Sequence, residues 1–299
     1  MSLKPLLRRI ALALWRPIER RAAGAYLAGP ELSAALESGD RVATRGYGVI
    51  IGFWNADDDA PEAVTAENLV AIESIGTRGS GWYLSIKAPA LGYSAKLVDQ
   101  IVQAAAPLGA IVHFDSHALD TADETLALAV HARESHDQIG ITIPGRWRRS
   151  LADADRAVES GLRVRLVKGE WPDPDDPGRD MRDGFLEVLD RLAGRAVHVA
   201  VATHDAQLAR EAVGRLAASG TSHDLELLIG LPFDEVVGVA RASGLPVRVY
   251  VPYGHASLRY GHQFLRRNPR RVWWLVRDLL LRRDRATPPP LEPAPARRA

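Results

Sequence analysis

The stretch VHVAVATHDAQLAREAVGRLAASGTSHDLELLIG (residues 197–230) decides the fold class. It opens with a short aliphatic run, VHVAVATH (197–204), which is typical of a buried strand. A helix-patterned segment follows, AQLAREAVGRLAAS (206–219), and a second aliphatic run, LELLIG (225–230), ends the unit. A strand, a helix and another strand in this order form a βαβ unit, which indicates that the two strands are parallel.

The same unit recurs along most of the chain. Six further aliphatic runs carry the pattern: GVIIGFW (48–54), WYLSIK (82–87), AIVHFD (110–115), IGITI (139–143), LRVRLVKG (162–169) and VRVYVPYG (247–254). The runs are apolar almost throughout, without alternation, as expected of parallel strands covered on both faces. Eight such strands joined by helix-patterned connections predict a (β/α)₈ barrel. The alternative is a doubly wound open sheet, which needs only about five or six strands, and no GxGxxG follows the first strand to support it.

The two ends of the chain differ from this repeating middle. Residues 1–44 contain a basic, amphipathic pattern and are predicted to be a helical segment with N-terminal amphipathic helices. Residues 45–285 are predicted to form the barrel. Residues 286–299, with the run TPPPLEPAPARRA, are rich in proline and are predicted to be a disordered tail. No apolar run reaches the length of about 18 residues that a membrane-spanning helix needs.

Composition excludes several classes of site and partner. The 299 residues are 46% hydrophobic and 25% charged, and none is cysteine, so disulfides, thiolate metal sites and cysteine nucleophiles are excluded. The formal charge of +1 conceals a segregation, because residues 24–254 hold 21 Lys or Arg against 33 Asp or Glu. This acidic body would repel nucleic acid. The basic segment 264–285 packs as a barrel helix or makes peripheral contact with an anionic membrane.

Ionisable residues gather at the predicted carboxyl ends of the strands, where barrel enzymes keep their active sites. Lys87 ends the second strand and Asp115 the third, while Thr203 and His204 end the sixth. Each has a simpler interpretation: Lys87 and Asp115 could pair across adjacent strands, and His204-Asp205 could be a helix N-cap beside an imidazole.

Arg165 is the hardest of these residues to explain as filler. It lies in the middle of the fifth strand, where a barrel usually has an aliphatic residue, and its guanidinium cannot lose its charge. An arginine inside the barrel therefore needs an anionic or electron-rich partner. Lys168-Gly169 adds a cation and a close backbone approach where a phosphate could dock. Together, the ionisable residues at the strand ends favour a ligand that is partly anionic and partly aromatic.

Metal-dependent hydrolysis is the competing enzyme class. It would usually place two histidines on the first strand or several facing carboxylates in the barrel, and the first strand ends in Phe53-Trp54-Asn55. His113 and His117 flank Asp115, but the ammonium of Lys87 would disfavour a metal cation. We therefore expect no metal site.

The strand ends resemble the sequence blocks of the proline dehydrogenase family. RLVKGEW (165–171), VATHD (201–205), VRVYVPYG (247–254), LSIKAPALG (84–92) and VHFDS (112–116) are similar to that family's blocks and occur in its order. The resemblance covers roughly residues 45–280. It implies an FAD-binding barrel that oxidises L-proline to Δ1-pyrroline-5-carboxylate and passes electrons to a quinone.

The resemblance also assigns residue roles. It implies that Arg165 lies beside the flavin ring and stabilises its anionic reduced form. It also implies that Lys87 and Asp115 line the bottom of the substrate pocket and that Tyr250 packs beside the substrate. The implied catalytic group is Lys87, Asp115, Arg165, Tyr250 and Tyr260. The implied flavin-binding group is Arg165, Lys168, Gly169, Thr203 and His204.

The chain departs from the family on the substrate side. The family closes its site with a YxxRRxxE helix whose two arginines clamp the proline carboxylate. An ungapped alignment places Tyr260 on the tyrosine but Gln263 and Phe264 on the arginines, and a three-residue slip is needed to bring Arg266 and Arg267 into register. Pro144 and Glu170 stand where the family has a flavin-contacting Gln and a small Ala. LELLIGLP is also shortened against the corresponding family block.

Two hypotheses therefore stay open. The first is an active flavin-dependent oxidoreductase, which is either a proline dehydrogenase with a rebuilt clamp or a relative acting on another cyclic or secondary amine. The second is a catalytically degenerate barrel that serves in binding or regulation, with or without flavin. The composition suggests a bacterial cytoplasmic protein, peripheral to the inner face of the membrane if the basic segment 264–285 contacts lipid.

Overall fold

Eight parallel strands close into a barrel in the computed structural model, which describes residues 26–255 and 288–291. The strands are β1 Gly48–Trp54, β2 Trp82–Ile86, β3 Val112–Phe114, β4 Ile139–Pro144, β5 Arg163–Val167, β6 Val199–Ala202, β7 His223–Leu228 and β8 Val247–Gly254. Each strand pairs with the next in the chain, and β8 returns to β1, where Ile50 is opposite Tyr250. The predicted (β/α)₈ barrel is confirmed.

A helix precedes the barrel and further helices link its strands. The helices of the described residues are α1 Leu32–Ala43, α2 Pro61–Gly76, α3 Ala95–Ala105, α4 Ala122–Ser135, α5 Ser150–Glu159, α6 Met181–Leu192, α7 Ala206–Ala218 and α8 Asp234–Ser243. Short 3₁₀ turns occur at Ala88–Leu91, Ala106–Leu108 and Leu119–Thr121. Their buried aliphatic faces pack on the outer faces of the strands and form the main apolar core.

Local chemistry fixes several of the helix starts. The Asp205 carboxylate accepts a hydrogen bond from Leu208 N at 3.1 Å and so caps α7. Asp180 caps α6 through the amides of its second and third residues. Pro61 stands at the first position of α2, where its missing N–H costs nothing. These caps turn the chain sharply at the carboxyl ends of the strands.

Strand pleating separates two environments in the barrel. On β5, Val164 and Leu166 face the helices in the apolar core, while Arg165 faces the interior. On β7, Leu225 likewise faces outward and Glu226 inward. The sequence-based expectation of strands without alternation is therefore wrong for β5 and β7. Polar residues are tolerated on the inner face because they bind one another across the barrel.

Helix α1 fills the space outside β8 and β1, between the last strand and the first. Ala35 and Val42 bury its apolar face. Gly39 permits the close approach, since a Cβ there would lie 2.4 Å from the Trp82 ring. Before α1, Ala28 N donates to Pro252 O at 2.9 Å, so the chain crosses the end of β8. The helix that completes the wall thus comes from the N-terminal side of the barrel, within the predicted helical segment 1–44.

We call the carboxyl ends of the strands the mouth and the amino ends the floor. Residues 288–291 dock on the floor, where Arg45 Nη1 donates to Pro288 O at 2.8 Å and Leu291 N donates to Arg45 O at 2.8 Å. The prediction of a disordered tail is wrong for these four residues, because proline carbonyls without internal partners find donors on the barrel. The rest of 286–299 lies outside the described residues.

None of the helices within residues 26–255 combines the length and the apolar character required to cross a bilayer.

Candidate active site

Arg165 lies at the centre of the barrel interior and bridges three strands. Its Nε donates to Glu226 Oε2 at 2.5 Å, its Nη1 to Asp115 Oδ1 at 2.5 Å and its Nη2 to Tyr83 Oη at 2.9 Å. Only 6% of the residue is exposed. Burial alone would lower the pKa of Arg165, but Glu226, Tyr83 and Asp115 raise it well above its ordinary value. The guanidinium is a permanent buried cation held between two carboxylates.

Asp115 follows β3 at the mouth side of Arg165. Its Oδ1 also accepts from Ser85 Oγ at 2.7 Å, and its Oδ2 accepts from Tyr250 Oη at 3.1 Å. Its ion pair is with Arg165, and the described residues contain no ion pair between Asp115 and Lys87. The simple interpretation of Lys87 and Asp115 as a cross-strand pair is therefore wrong.

Tyr250 joins β8 to this cluster. Its hydroxyl accepts from Trp54 Nε1 at 3.1 Å while donating to Asp115, and the Arg165 guanidinium carbon lies 5.6 Å from its ring centroid. Gly52 makes this position possible, because a Cβ there would lie 2.4 Å from Tyr250 Oη. Burial, and then the charge of Asp115, raise the pKa of Tyr250 well above its ordinary value. The tyrosine therefore remains a hydrogen-bond donor.

Lys87 lies at the mouth, where its Nζ is 4.9 Å from the ring centroid of Trp54. Burial lowers the pKa of Lys87 to about 7, and the charge of Asp115 offsets only part of that effect. Burial, and then the charge of Lys87, lower the pKa of neighbouring His117 to about 4. At neutral pH Lys87 is therefore divided between its neutral and charged forms beside a neutral imidazole.

Mid-strand residues that were absent from the predicted site complete the cluster. Glu226 accepts from Arg165 and from Tyr83 Oη, and His113 Nε2 is 2.9 Å from Thr142 Oγ1 below Asp115. These residues were not predicted because they lie within the strands, deeper in the barrel than the residues at the strand ends. A signal was present in HDLELL (223–228), where two acidic residues alternate with leucines in an otherwise apolar strand.

The predicted flavin-binding residues form one side of the mouth. Lys168 Nζ is 2.8 Å from Asp205 Oδ2, with about a third of each side chain exposed. Gly169 has φ +90°, and a Cβ there would lie 2.9 Å from Pro144 Cβ and 3.0 Å from Arg146 Cβ. Only glycine fits this backbone position without strain.

Thr203 and His204 hold backbone rather than projecting freely. His204 Nδ1 donates to Pro232 O at 2.9 Å, and its Nε2 accepts from Leu228 N at 2.9 Å, so one tautomer joins the ends of β6 and β7. Thr203 Oγ1 accepts from Asp205 N at 3.2 Å. Since Asp205 caps α7, the N-cap interpretation of this residue is correct.

The mouth has donors that suit a dinucleotide cofactor. Arg146 Nε is buried without a hydrogen-bond partner, and its neighbour Lys168 adds a second cation on the same side. An orphaned donor beside a glycine that brings the backbone close matches the needs of a diphosphate. These residues fit the diphosphate of a dinucleotide such as FAD.

The remaining predicted residues lie outside the described part of the chain. They are Tyr260, Gln263, Phe264, Arg266 and Arg267. The last described residue before them, His255, is exposed at the mouth, and its N donates to Trp54 O at 2.7 Å.

Among residues 26–255 and 288–291, no three His, Cys, Asp or Glu side chains gather in a way that could hold a metal ion. The histidines of the interior contact hydroxyl and backbone groups instead, as His113 and His204 do.

Comparison with known proteins gives consistent results. No family model matches the chain. It is 23% identical over 279 residues to proline dehydrogenase 1 of Bacillus subtilis, covering 87% of this chain and 91% of that protein, and 22% identical over 288 residues to proline dehydrogenase of Deinococcus radiodurans. The fold matches proline utilization A (PutA) of Bdellovibrio bacteriovorus with a TM-score of 0.68 and 15% identity over 87% of this chain. This chain spans about a third of that longer protein (32%).

Proposed function

Starting from the chain's place as a divergent relative of the proline dehydrogenases, we propose that it is a flavin-dependent dehydrogenase of L-proline or a related cyclic secondary amine. The observation that supports this most strongly is the cluster of Arg165, Asp115 and Tyr250 with Lys87 at its mouth end. Contacts through Trp54, Tyr250 and Asp115 connect a buried cation to a lysine of lowered pKa.

FAD would be held at the mouth by Lys168, Arg146 and the backbone at Gly169, and when bound it supplies the acceptor for a hydride. Arg165 would offset the negative charge gained by the hydride acceptor, while the substrate carbon next to nitrogen loses the hydride and an iminium group forms. Glu226 and Asp115 fix the guanidinium in place, so it need not reorganise during the reaction. The Thr203 and His204 contacts keep the strand ends rigid around this position.

Lys87 would accept a proton from the substrate amine. A secondary amine is oxidised only when its nitrogen lone pair is free, so the ammonium form must lose a proton. Neutral Lys87 Nζ can accept it, and the burial that lowers the pKa of Lys87 also lowers the pKa of an ammonium group placed beside it.

We further propose that Arg266 and Arg267, rather than Gln263 and Phe264, bind the substrate carboxylate. Two guanidiniums are the side chains suited to bidentate carboxylate recognition, and the three-residue slip brings them into the family register. Tyr260 would then not hold the place of the family tyrosine.

Anaerobic titration of the FAD-reconstituted protein tests the function. L-Proline should bleach the flavin absorbance, while Arg165→Met should bind FAD but be reduced at least 100-fold more slowly. Pyrrolidine is the matched substrate, since it lacks only the carboxylate. Reduction by pyrrolidine as fast as by L-proline would show that the carboxylate is not recognised and that another cyclic amine is the substrate.

Two outcomes would overturn the enzyme proposal. A protein that binds FAD but is reduced by no secondary amine would support the degenerate-barrel hypothesis. Failure to reconstitute the protein with FAD would exclude a flavin-dependent function altogether. Pro144 favours the degenerate-barrel hypothesis. It stands where the resemblance implies a flavin-contacting Gln, and its Cβ would lie 2.9 Å from a Cβ added at Gly169.

For the electron acceptor we propose a membrane quinone, reached by a cytoplasmic protein through its basic segment 264–285. The segment interleaves arginines with Trp273 and Trp274, a composition that suits anionic lipid surfaces. Sedimentation with vesicles containing anionic lipid tests this proposal, and absence of binding at low salt would exclude it.

A further inference from the structure

The proline run Pro288-Pro289-Pro290 has a backbone whose shape is largely set by its sequence. Each ring fixes φ near −65°, and Pro288 and Pro289 are each followed by another proline, which favours an extended ψ. The result is a polyproline II conformation, in which carbonyl groups have no internal hydrogen-bond donors. Such a segment offers an ordered row of acceptors at little cost in conformational entropy.

The barrel floor supplies one side-chain donor for each of these carbonyls. Arg45 Nη1 donates to Pro288 O at 2.8 Å, Tyr47 Oη donates to Pro289 O at 2.6 Å, and Arg241 Nη2 donates to Pro290 O at 2.5 Å. Leu291 brings the first amide N–H after the run, and it donates to Arg45 O at 2.8 Å. Every polar backbone group of residues 288–291 except the Leu291 carbonyl is thereby paired or absent.

The floor is also shaped for this segment. Pro288 is buried, and Leu291 packs against the apolar core. Gly46 has φ +89°, and a Cβ there would lie 3.2 Å from Leu291 O. The Tyr47 side chain is almost entirely buried, and burial raises its pKa to about 12, so it remains a donor. Proteins recognise polyproline II peptides with sites that contain aromatic side chains, and Tyr47 supplies one here.

We propose that Arg45, Tyr47 and Arg241 form a binding site for polyproline-type peptide, which the chain fills with its own residues 288–291. The donors come from the turn before β1 and from the last turn of α8, so the site belongs to the rigid frame.

The peptide site is tested by a readout that is independent of activity. Replacing Pro288, Pro289 and Pro290 by glycine in the full-length chain should empty the site. A fluorescein-labelled peptide ATPPPLEPAP, which corresponds to residues 286–295, should then bind this variant in an anisotropy titration. The unaltered protein should bind it at least tenfold more weakly because its site is occupied. Adding Tyr47→Phe, which removes only one hydroxyl, should weaken binding by about fivefold.

Matched controls keep the result interpretable. Arg241→Ala in the glycine variant should also weaken peptide binding, whereas Arg210→Ala, at an exposed position on α7, should not. Equal binding of a peptide with glycines in place of the three prolines would overturn the proposal, as would failure of the glycine variant to bind the proline peptide. Circular dichroism confirms that each variant is folded.

Discussion

Arg165 on β5 and Glu226 on β7 form an ion pair across the interior of the barrel, with Nε and Oε2 2.5 Å apart and side chains only 7% and 5% exposed. Asp115 binds the same guanidinium from the mouth side, so one buried cation faces two carboxylates. Full neutralisation of Arg165 holds its side chain still, but it also reduces the positive potential that reaches the mouth. Glu226 is thus expected to affect both stability and the electrostatics of the site.

Glu226→Ala should lower the free energy of unfolding by about 3–5 kcal/mol, because it leaves the buried Arg165 charge without its Nε partner. Glu226→Gln should cost less, and in the flavin-loaded protein it should shift the reduction potential in the positive direction by tens of millivolts, at about 30 mV per 1.4 kcal/mol for two electrons. Urea unfolding and a reductive dye titration measure the two effects. Glu187→Gln is the control, since its pair with Arg179 is half exposed on the carboxylate side and is worth less than about 1 kcal/mol. An unchanged potential in Glu226→Gln would contradict the proposed electrostatic link.

Lys87 should make the stability of the protein depend on pH. Its folded pKa of about 7 lies below the unfolded value of about 10.4, so between these values the unfolded chain binds more protons and the free energy of unfolding rises with pH. Lys87→Met removes this dependence and should stabilise the protein by about 4 kcal/mol at pH 6, with the difference shrinking toward pH 10. Urea unfolding at pH 6, 8 and 9.5 measures it, with Lys96→Met on the exposed side of α3 as control. A pH-independent difference between Lys87→Met and the unaltered protein would show that Lys87 stays charged in the folded state.

Tyr250→Phe should reduce the rate of flavin reduction by about tenfold while costing about 1 kcal/mol of stability, since it removes only the hydroxyl that links Trp54 to Asp115. Tyr253→Phe is the matched control on the same strand. It removes a 2.8 Å hydrogen bond to Glu67 and should cost similar stability without changing the rate. Stopped-flow reduction by L-proline distinguishes the two variants, and equal rates would remove Tyr250 from the reactive cluster.

Gly169→Ala should weaken FAD binding by at least tenfold and destabilise the protein by more than 2 kcal/mol, because φ is +90° and the new Cβ would meet Pro144 and Arg146. Gly220→Ala is the control for backbone strain alone, since its φ is +70° and no atom lies within 4 Å of the added Cβ. It should cost about 1 kcal/mol and leave FAD affinity unchanged. Fluorescence quenching of FAD on binding gives the affinities, and equal loss in both variants would argue against a cofactor at this side of the mouth.

The repeating pattern of strand and helix predicted the barrel, because each βαβ unit is local and its aliphatic runs are long enough to recognise without tertiary information. The pattern also predicted the strands that carry Lys87, Asp115 and Arg165. It could not predict which residues meet inside, since the Glu226 contact to Arg165 joins strands 61 positions apart and depends on register around a closed ring. Glu226 and Tyr83 were missed for that reason.

The local environment of charged groups was equally hidden in the sequence. Lys87 and Asp115 are adjacent in the strand order, which suggested a pair, but Arg165 reaches Asp115 first and leaves Lys87 over the Trp54 ring. Competition between two cations for one carboxylate is decided by side-chain length and direction. The docking of residues 288–291 could not be predicted for the same reason, because its donors Arg45 and Arg241 lie near opposite ends of the barrel sequence.

The position of α1 outside β8 and β1 puts one helix over the joint between the last strand and the first. Loss of its apolar face would uncover the outer side of that joint. A substitution such as Val42→Asp should therefore abolish activity by opening the barrel, although α1 contributes no side chain to the reactive cluster of Arg165, Asp115, Tyr250 and Lys87.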